Sequence, residues 1–282
     1  MLALGVLTVL HLFVLRFISV QSTSMMATLW PGDLLLVARW PKWTGLERGD
    51  IVVFRDPLED RSAMWQRSLL VKRVMAVPGD ELEIRRGVVY VNGQQVREAA
   101  GVSFSHLLRL KPDASAHALL DRLGLPPEVG HGAGPNIELP LNQQLATIAR
   151  ADSAVESVEP MSLAHGARSH IFPFSPRYPW NGDDFGPITV PGAGDTLRIT
   201  VDNLPLYDRV ISAYEGHRLG AVANELTIDD RPLEDYVVEQ DYYFVLGDSR
   251  HYSADSRYWG FLPADHVVGR VNNVLLEGDR RR

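Results

Sequence analysis

An apolar run near the N-terminus, from Leu2 to Val20, constrains the fold of this chain more than any other feature. Only His11 and Arg16 interrupt it, and its length is close to the ~20 residues that a helix needs to cross a bilayer. We therefore predict one transmembrane helix, an anchor over residues 1–20. The run lacks the basic leading region of a cleaved signal peptide, although the small residues directly after it keep that alternative open.

The overall composition excludes several classes of protein. A formal net charge of −7 over 282 residues disfavours a broad surface for polyanions, so we expect no nucleic-acid partner. The chain has no cysteine, which excludes disulfides, thiolate catalysis and cysteine-ligated zinc. Its length and average apolar content allow one sizeable core, with or without an insertion.

Short β-rich runs separated by Gly, Pro and Asp turns follow the anchor and return near the C-terminus. These runs are residues 34–40, 50–54, 69–77, 88–96, 195–203, 221–230, 241–248 and 267–276. Helical spacing is confined to residues 114–124 and 142–151. The pattern predicts a mainly β fold with an inserted α/β subdomain.

The same pattern predicts the domain organisation. We assign residues 21–98 and 188–276 to a catalytic β core and residues 99–187 to the inserted subdomain. An alternative stays open, in which part of residues 187–240 belongs to the insertion. The last residues, 277–282, form a basic tail that we expect to be solvated.

A serine and a lysine provide the candidate catalytic chemistry. A serine hydroxyl needs a neighbouring base, but the chain has no Ser-centred G-x-S-x-G elbow and no H-E-x-x-H motif. His251 stands near a polar cluster, and we interpret it as a loop residue. Lys72 lies in the apolar segment LLVKRV, where burial would lower its pKa and make it a base. With Ser24, just beyond the apolar run, it could form a catalytic dyad at a membrane surface.

Several blocks of the sequence resemble bacterial type I signal peptidases, in the same order along the chain. They are STSMMATLWPGD (22–33), RGDIVVF (48–54), LLVKRVMAVPGD (69–80) and GDSRHYSADSRYWGFLP (247–263), followed by VVGRV (267–271). The first is similar to the family pattern S-x-S-M-x-P-T-L-x-x-G-D, with Ala27 in place of its proline. The resemblance implies a signal-peptidase-type β core.

The resemblance also implies roles for particular residues. Ser24 matches the family nucleophile and Lys72 the general base. Ser22 matches a position whose hydroxyl forms the oxyanion hole together with the backbone N–H of Ser24. Ser253 matches a serine that hydrogen-bonds and orients the lysine.

Further positions match supporting and substrate-binding residues of the family. Asp255 and Arg257 match a structural ion pair beside the dyad. The positions that match walls of the substrate pocket are Met25, Leu29, Leu70 and Val71. Small apolar pockets would select alanine-like residues before the cut, as in A-x-A-like cleavage sites.

The function that the resemblance implies is a membrane-bound serine endopeptidase, which removes N-terminal signal peptides from exported preproteins without a metal or organic cofactor. Its expected partners are signal peptides and the lipid bilayer. The expected location is the bacterial cytoplasmic membrane, with a single span and the catalytic domain on the outer side.

Three alternatives stay open. One is a relative with a narrow clientele, that is, a peptidase that processes few substrates, such as one conjugation or pilus protein. Another is a self-cleaving repressor of the same Ser–Lys fold, against which the anchor and the full last block argue. The third is a non-catalytic protein that binds signal sequences, whose mark would be loss of a dyad member.

Overall fold

The computed structural model describes residues 14–26, 28–164, 166, 171–222 and 225–278, and strands dominate them. The first half of the strands comprises β1 (Leu15–Ser19), β2 (Leu34–Ala38), β3 (Ile51–Arg55), β4 (Leu69–Ala76), β5 (Glu81–Arg85), β6 (Val88–Val91), β7 (Gln94–Gln95), β8 (Phe104–Leu110), β9 (His131–Ala133) and β10 (Asn136–Leu141). The second half comprises β11 (Val155–Pro160), β12 (Phe185–Thr189), β13 (Thr196–Arg198), β14 (Leu219–Val222), β15 (Glu225–Ile228), β16 (Arg231–Pro232), β17 (Asp235–Val237), β18 (Tyr242–Leu246), β19 (Leu262–Pro263) and β20 (Val267–Leu276). The prediction of a mainly β fold is confirmed.

The helices of the described residues are short. They are α1 (Pro41–Thr44), α2 (Ala116–Leu123), α3 (Gln143–Ala151), α4 (Leu204–Arg209), which continues as a π-helical turn over Val210–Tyr214, and α5 (Ser256–Trp259). Turns of 3₁₀ helix cover Met64–Gln66, Pro127–Val129 and Ala264–His266. None of these helices is both long and apolar enough to span a bilayer.

The predicted anchor over residues 1–20 is wrong in its last part. Leu15–Ser19 form strand β1, which pairs antiparallel with β2 over its whole length. Hydropathy alone cannot separate a strand at the edge of a sheet from the end of an apolar helix. Residues 1–13 of the predicted anchor lie outside the described residues.

A seven-stranded antiparallel sheet carries the candidate site, with the order β1-β2-β20-β3-β4-β18-β19. A second sheet has the order β12-β5-β6-β7. One large apolar cluster includes Leu82 and Val89 of the second sheet and Phe244 of the seven-stranded sheet. The two sheets therefore share a core.

A third sheet, of order β11-β8-β10-β9, forms a separate unit with α2 and α3. Helix α2 begins after Ser115, whose side chain accepts a hydrogen bond from the N–H of Ala118. It ends at Gly124, whose φ of 65° favours glycine. The apolar face of α2 packs into the core between this third sheet and the two helices. We call residues 104–160 the inserted unit; the domain boundaries placed at 99 and 187 stay predictions.

Candidate active site

Ser24 lies on an irregular loop between β1 and β2, which we call the Ser24 loop (residues 20–33). Hydrogen bonds close its two ends: the N–H of Val20 donates to the carbonyl of Asp33 at 2.9 Å, and the N–H of Gly32 donates to the carbonyl of Val20 at 2.8 Å. The Asp33 carboxylate also accepts from the N–H of Trp30 at 2.9 Å. These bonds hold the loop against the sheet without regular secondary structure. Ala27 lies outside the described residues.

Lys72 lies within β4, where it stands opposite Val52 of β3. Its side chain is 2% exposed, and Ser24 is 7% exposed. Lys72 Nζ lies 2.7 Å from Ser24 Oγ and donates a second hydrogen bond to the Val71 carbonyl at 3.1 Å. The structure therefore brings together the two side chains that the sequence predicts as a dyad.

The surroundings of Lys72 favour its neutral form. Burial removes water from the ammonium and lowers the pKa of Lys72 to about 8, although the charges of Asp255 and Asp56 oppose this shift. About a tenth of such amines are uncharged at pH 7. A neutral amine at this place can accept the proton of the Ser24 hydroxyl.

Ser22 lies next to the dyad on the same loop. Its hydroxyl oxygen is 3.2 Å from Ser24 Oγ, and its side chain is exposed to solvent. A hydroxyl so close to a nucleophile can donate to an oxyanion that forms when the nucleophile attacks a carbonyl. The position agrees with the predicted role, which stays a prediction.

Ser253 lies beside the dyad but does not make the predicted hydrogen bond to Lys72. Its hydroxyl is buried and has no hydrogen-bond partner among the described residues. It packs against Gly247: a Cβ at position 247 would lie 2.2 Å from Ser253 Oγ and 2.6 Å from the backbone oxygen of Ser24. Only glycine allows this close approach of the three segments.

Asp255 and Arg257 form a buried ion pair, with 0% and 2% of their side chains exposed. The guanidinium donates to both carboxylate oxygens at 2.9 and 2.8 Å, and a third oxygen partner is the Gly182 carbonyl at 3.0 Å. Asp255 also accepts from the N–H of Gly247 at 3.0 Å. The pair therefore supports the turn that packs against Ser24.

The four predicted pocket residues divide between two sides of the seven-stranded sheet. Met25, Leu29 and Val71 are buried in one apolar cluster. Leu70 packs against a different cluster, which contains Phe54. Their contact with a substrate stays a prediction.

His251 has partners outside the dyad. Its Nε2 lies 2.7 Å from a carboxylate oxygen of Asp183, and its Nδ1 accepts from the N–H of Ser105 at 3.2 Å. It therefore links the last sequence block to the inserted unit.

Two residues that the sequence motifs did not single out hold the Ser24 loop. Asp248 is fully buried, accepts two hydrogen bonds from Arg73 at 2.9 and 2.7 Å, and accepts one from the hydroxyl of Thr28 at 2.5 Å. Ser249 donates through its N–H to the Ser24 carbonyl at 3.0 Å and through its hydroxyl to the Thr23 carbonyl at 2.9 Å. The available signal was an aspartate two residues after the fully buried strand β18.

Comparison with known proteins agrees with this geometry. The sequence pattern of the family described as "Signal peptidase, peptidase S26" matches residues 1–115 and 189–276, which is more than half of the chain. The chain belongs to this signal peptidase family. Members of the family are peptidases, a class of hydrolase. The matched stretches contain Ser24, Lys72 and Ser253, and residues 116–188 lie between them.

Individual signal peptidases are similar to the chain over different lengths. Signal peptidase I of Buchnera aphidicola subsp. Baizongia pistaciae is 23% identical over 280 residues, which cover 93% of this chain and 70% of that protein. Signal peptidase I U of Bacillus subtilis is 33% identical over 99 residues, 35% of this chain and 49% of that protein. Signal peptidase I of Bacillus caldolyticus is 38% identical over 98 residues, 34% of this chain and 49% of that protein. The match thus spans about half the length of the two Bacillus proteins.

Proposed function

We propose that this signal peptidase family member is a serine endopeptidase that cleaves N-terminal signal peptides from exported preproteins, with Ser24 as nucleophile and Lys72 as general base. The observation that carries the proposal is the 2.7 Å contact between Lys72 Nζ and Ser24 Oγ in a buried setting. Burial lowers the pKa of Lys72 to about 8, and a base is most effective when its pKa lies near the working pH.

In the first half of the reaction, neutral Lys72 takes the proton of the Ser24 hydroxyl, and the oxygen attacks the carbonyl carbon before the cut. The hydroxyl of Ser22 and the N–H of Ser24 donate to the resulting oxyanion. The carbon–nitrogen bond then breaks, and the Lys72 ammonium gives its proton to the departing amine of the mature protein.

In the second half, the signal peptide is held as an ester on Ser24. Lys72, neutral again, takes a proton from water, and the hydroxide attacks the ester carbonyl. The ester bond breaks, the Ser24 oxygen regains a proton from Lys72, and the signal peptide leaves as a carboxylic acid, which loses its proton to water.

The edge of β4 next to the dyad can receive an extended substrate. Residues 69–73 pair with β3 on one side, whereas β18 pairs with β4 only from Arg73 to Ala76 on the other. The β18 side of residues 69–72 is therefore free of strand partners in the ladders of the described residues. A preprotein segment could add there as a strand and present its carbonyl to Ser24. Side chains before the cut would then meet Met25, Leu29, Leu70 and Val71, which we propose restrict them to small residues.

A lipid bilayer is the proposed second partner. Large apolar side chains are exposed where β1 and β20 lie, with Phe17 at 53% and Leu276 at 63%. The sequence before β1 is also apolar. We propose attachment to the outer side of the bacterial cytoplasmic membrane, where signal peptides emerge.

Cleavage of a preprotein by the purified, detergent-solubilised chain tests the proposal, with N-terminal sequencing of the product. Ser24→Ala and Lys72→Met are each expected to lower the rate by at least about 10³-fold. Lys111→Met is the matched control, because Lys111 is exposed and lies in the inserted unit. It should cleave at the same A-x-A-like site as the unaltered chain.

Other outcomes separate the alternatives. Equal cleavage by all variants would mean that another nucleophile does the chemistry and would refute the dyad. Cleavage of several unrelated preproteins would exclude a narrow clientele. No cleavage of any of them by the unaltered chain would reject the general peptidase in favour of a narrow clientele or a binding role.

A further inference from the structure

Two consecutive methionines of the Ser24 loop enter two different apolar cores. Met25 is 1% exposed and lies in the cluster that includes Val53 and Val71 of the seven-stranded sheet. Met26 is also 1% exposed, but it lies in the core of the inserted unit with Leu108 and Leu119. The residue directly before them is Ser24, so both cores hold the backbone that carries the nucleophile.

The core of the inserted unit receives a second side chain from the same loop. Trp30 is partly buried and packs against this cluster. Thr23 and Met26 also line a small cavity of about 30 Å³, together with Val129 and Tyr252. The inserted unit therefore packs against the Ser24 loop at Met26 and Trp30, and Thr23 borders a cavity that the unit also lines.

Backbone hydrogen bonds make a second, polar connection between the same two parts. Residues 248–250 bond to Ser103, directly before β8: the N–H of Ser103 donates to the carbonyl of residue 248 at 2.8 Å, and its carbonyl accepts from the N–H of residue 250 at 2.9 Å. The central residue, Ser249, donates to the carbonyls of Ser24 and Thr23. One short segment thus joins the start of the inserted unit to the nucleophile's own peptide group.

These contacts matter because the described residues of the Ser24 loop form no helix or strand that would fix it between β1 and β2. A displacement of about 1 Å at a reacting group can lower a catalytic rate by about 10²-fold. Packing against one core alone would leave the loop free to move away from that core. Packing against two cores restricts the loop from both sides.

We propose that the inserted unit is a positioning element of the active site and that Met26 is the positioning residue through which it acts. The inference rests on the proposed function of Ser24 and Lys72. It gives the inserted unit a part in the reaction: the unit holds Ser24 Oγ at hydrogen-bond distance from Lys72 without touching the substrate itself.

Met26→Ala, measured beside Met26→Leu and Val89→Ala, tests the proposal. Val89 is fully buried in the core that the seven-stranded sheet and the second sheet share, so its truncation is the matched control for a general loss of stability. At a temperature well below all melting transitions, Met26→Ala should lower kcat by about 10- to 100-fold, with KM changed less than about twofold. Met26→Leu should restore kcat, and Val89→Ala should lower the melting temperature without lowering kcat.

Amide hydrogen exchange gives a readout that does not depend on cleavage. Met26→Ala should speed exchange in residues 20–33 and at the N–H of Ser249, because that N–H bonds to the Ser24 carbonyl. Val89→Ala should leave exchange in residues 20–33 unchanged. Unchanged kcat and loop exchange in Met26→Ala would overturn the proposal, as would equal losses of kcat in both alanine variants. The unaltered chain could cleave nothing while Met26→Ala still speeds amide exchange in the Ser24 loop. That result would refute the proposed function and would support the positioning contact.

Discussion

Two buried cations interact with the same carboxylate in this molecule, yet their pKa values move in opposite directions. Lys72 and Arg257 are each 2% exposed, and the charge of Asp255 acts on both. Burial dominates at Lys72 and lowers its pKa to about 8. At Arg257 burial also acts to lower the pKa, but the charge and hydrogen bonds of Asp255 outweigh it and raise the value.

The difference lies in the hydrogen bonds rather than in the depth of burial. Arg257 donates two hydrogen bonds directly to Asp255, which replace the water that it loses. The hydrogen bonds of the Lys72 amine go to Ser24 and the Val71 carbonyl, both uncharged. A cation without a bonded carboxylate can be neutralised by burial, and so can become a base. Two cations near the same carboxylate therefore differ: Arg257 stays charged, whereas Lys72 can titrate.

Lys72→Arg tests the contrast between the two cations most directly, because it replaces the titratable cation with one that stays protonated in proteins. We expect kcat for preprotein cleavage to fall by at least about 10³-fold, to the level of Ser24→Ala. Positive charge at the site would be kept, so the loss would come from the missing neutral base. Single-turnover cleavage measures it.

The control for that change is the exposed Lys111→Arg, which should cleave at the unaltered rate. Activity of Lys72→Arg within tenfold of the unaltered chain would contradict a lysine base. It would mean that residue 72 serves only to hold Ser24 in place.

The sequence predicts the two members of the dyad but not the parts that hold them. β-rich runs place Lys72 on a strand, and the structure forms that strand over Leu69–Ala76, close to the predicted 69–77. The helices at Ala116–Leu123 and Gln143–Ala151 also agree with their predicted ranges. These elements are predictable because each shows its own apolar period within a few residues.

The features that the sequence does not predict depend on partners far along the chain. Leu15–Ser19 are as apolar as a helix end, and only their pairing with β2 makes them a strand. Met26 shows no periodicity, and its core partners come from residues about 80 or more positions later. Tertiary contacts decide both. The helical segment that begins at Leu204 was not predicted either, because it directly follows a β-like run.

Arg257→Met removes the permanently charged cation. It leaves the Asp255 carboxylate buried without its partner, and we expect a loss of about 3–5 kcal/mol in the free energy of unfolding. Urea denaturation at pH 7 measures it. Arg218→Met is the control, because Arg218 pairs with Asp230 at the surface, with 70% and 82% of the side chains exposed, and exposed pairs contribute about 0–1 kcal/mol. A loss at Arg257 no larger than at Arg218 would contradict the supporting role of the buried pair.

Lys72→Met should raise the free energy of unfolding, whereas Arg257→Met should lower it. The pKa of Lys72 falls from 10.5 to about 8 on folding, so between these values the unfolded state binds more protons and stability rises with pH. Below pH 8 the folded chain carries the full penalty of a buried ammonium, about 3 kcal/mol, which methionine removes. Urea denaturation of both proteins should therefore show the variant more stable by about that amount at pH 7, with the advantage shrinking between pH 8 and 10.5. An advantage that stays constant with pH would show that the gain comes from packing alone, and that burial does not hold the amine of Lys72 ready to lose its proton.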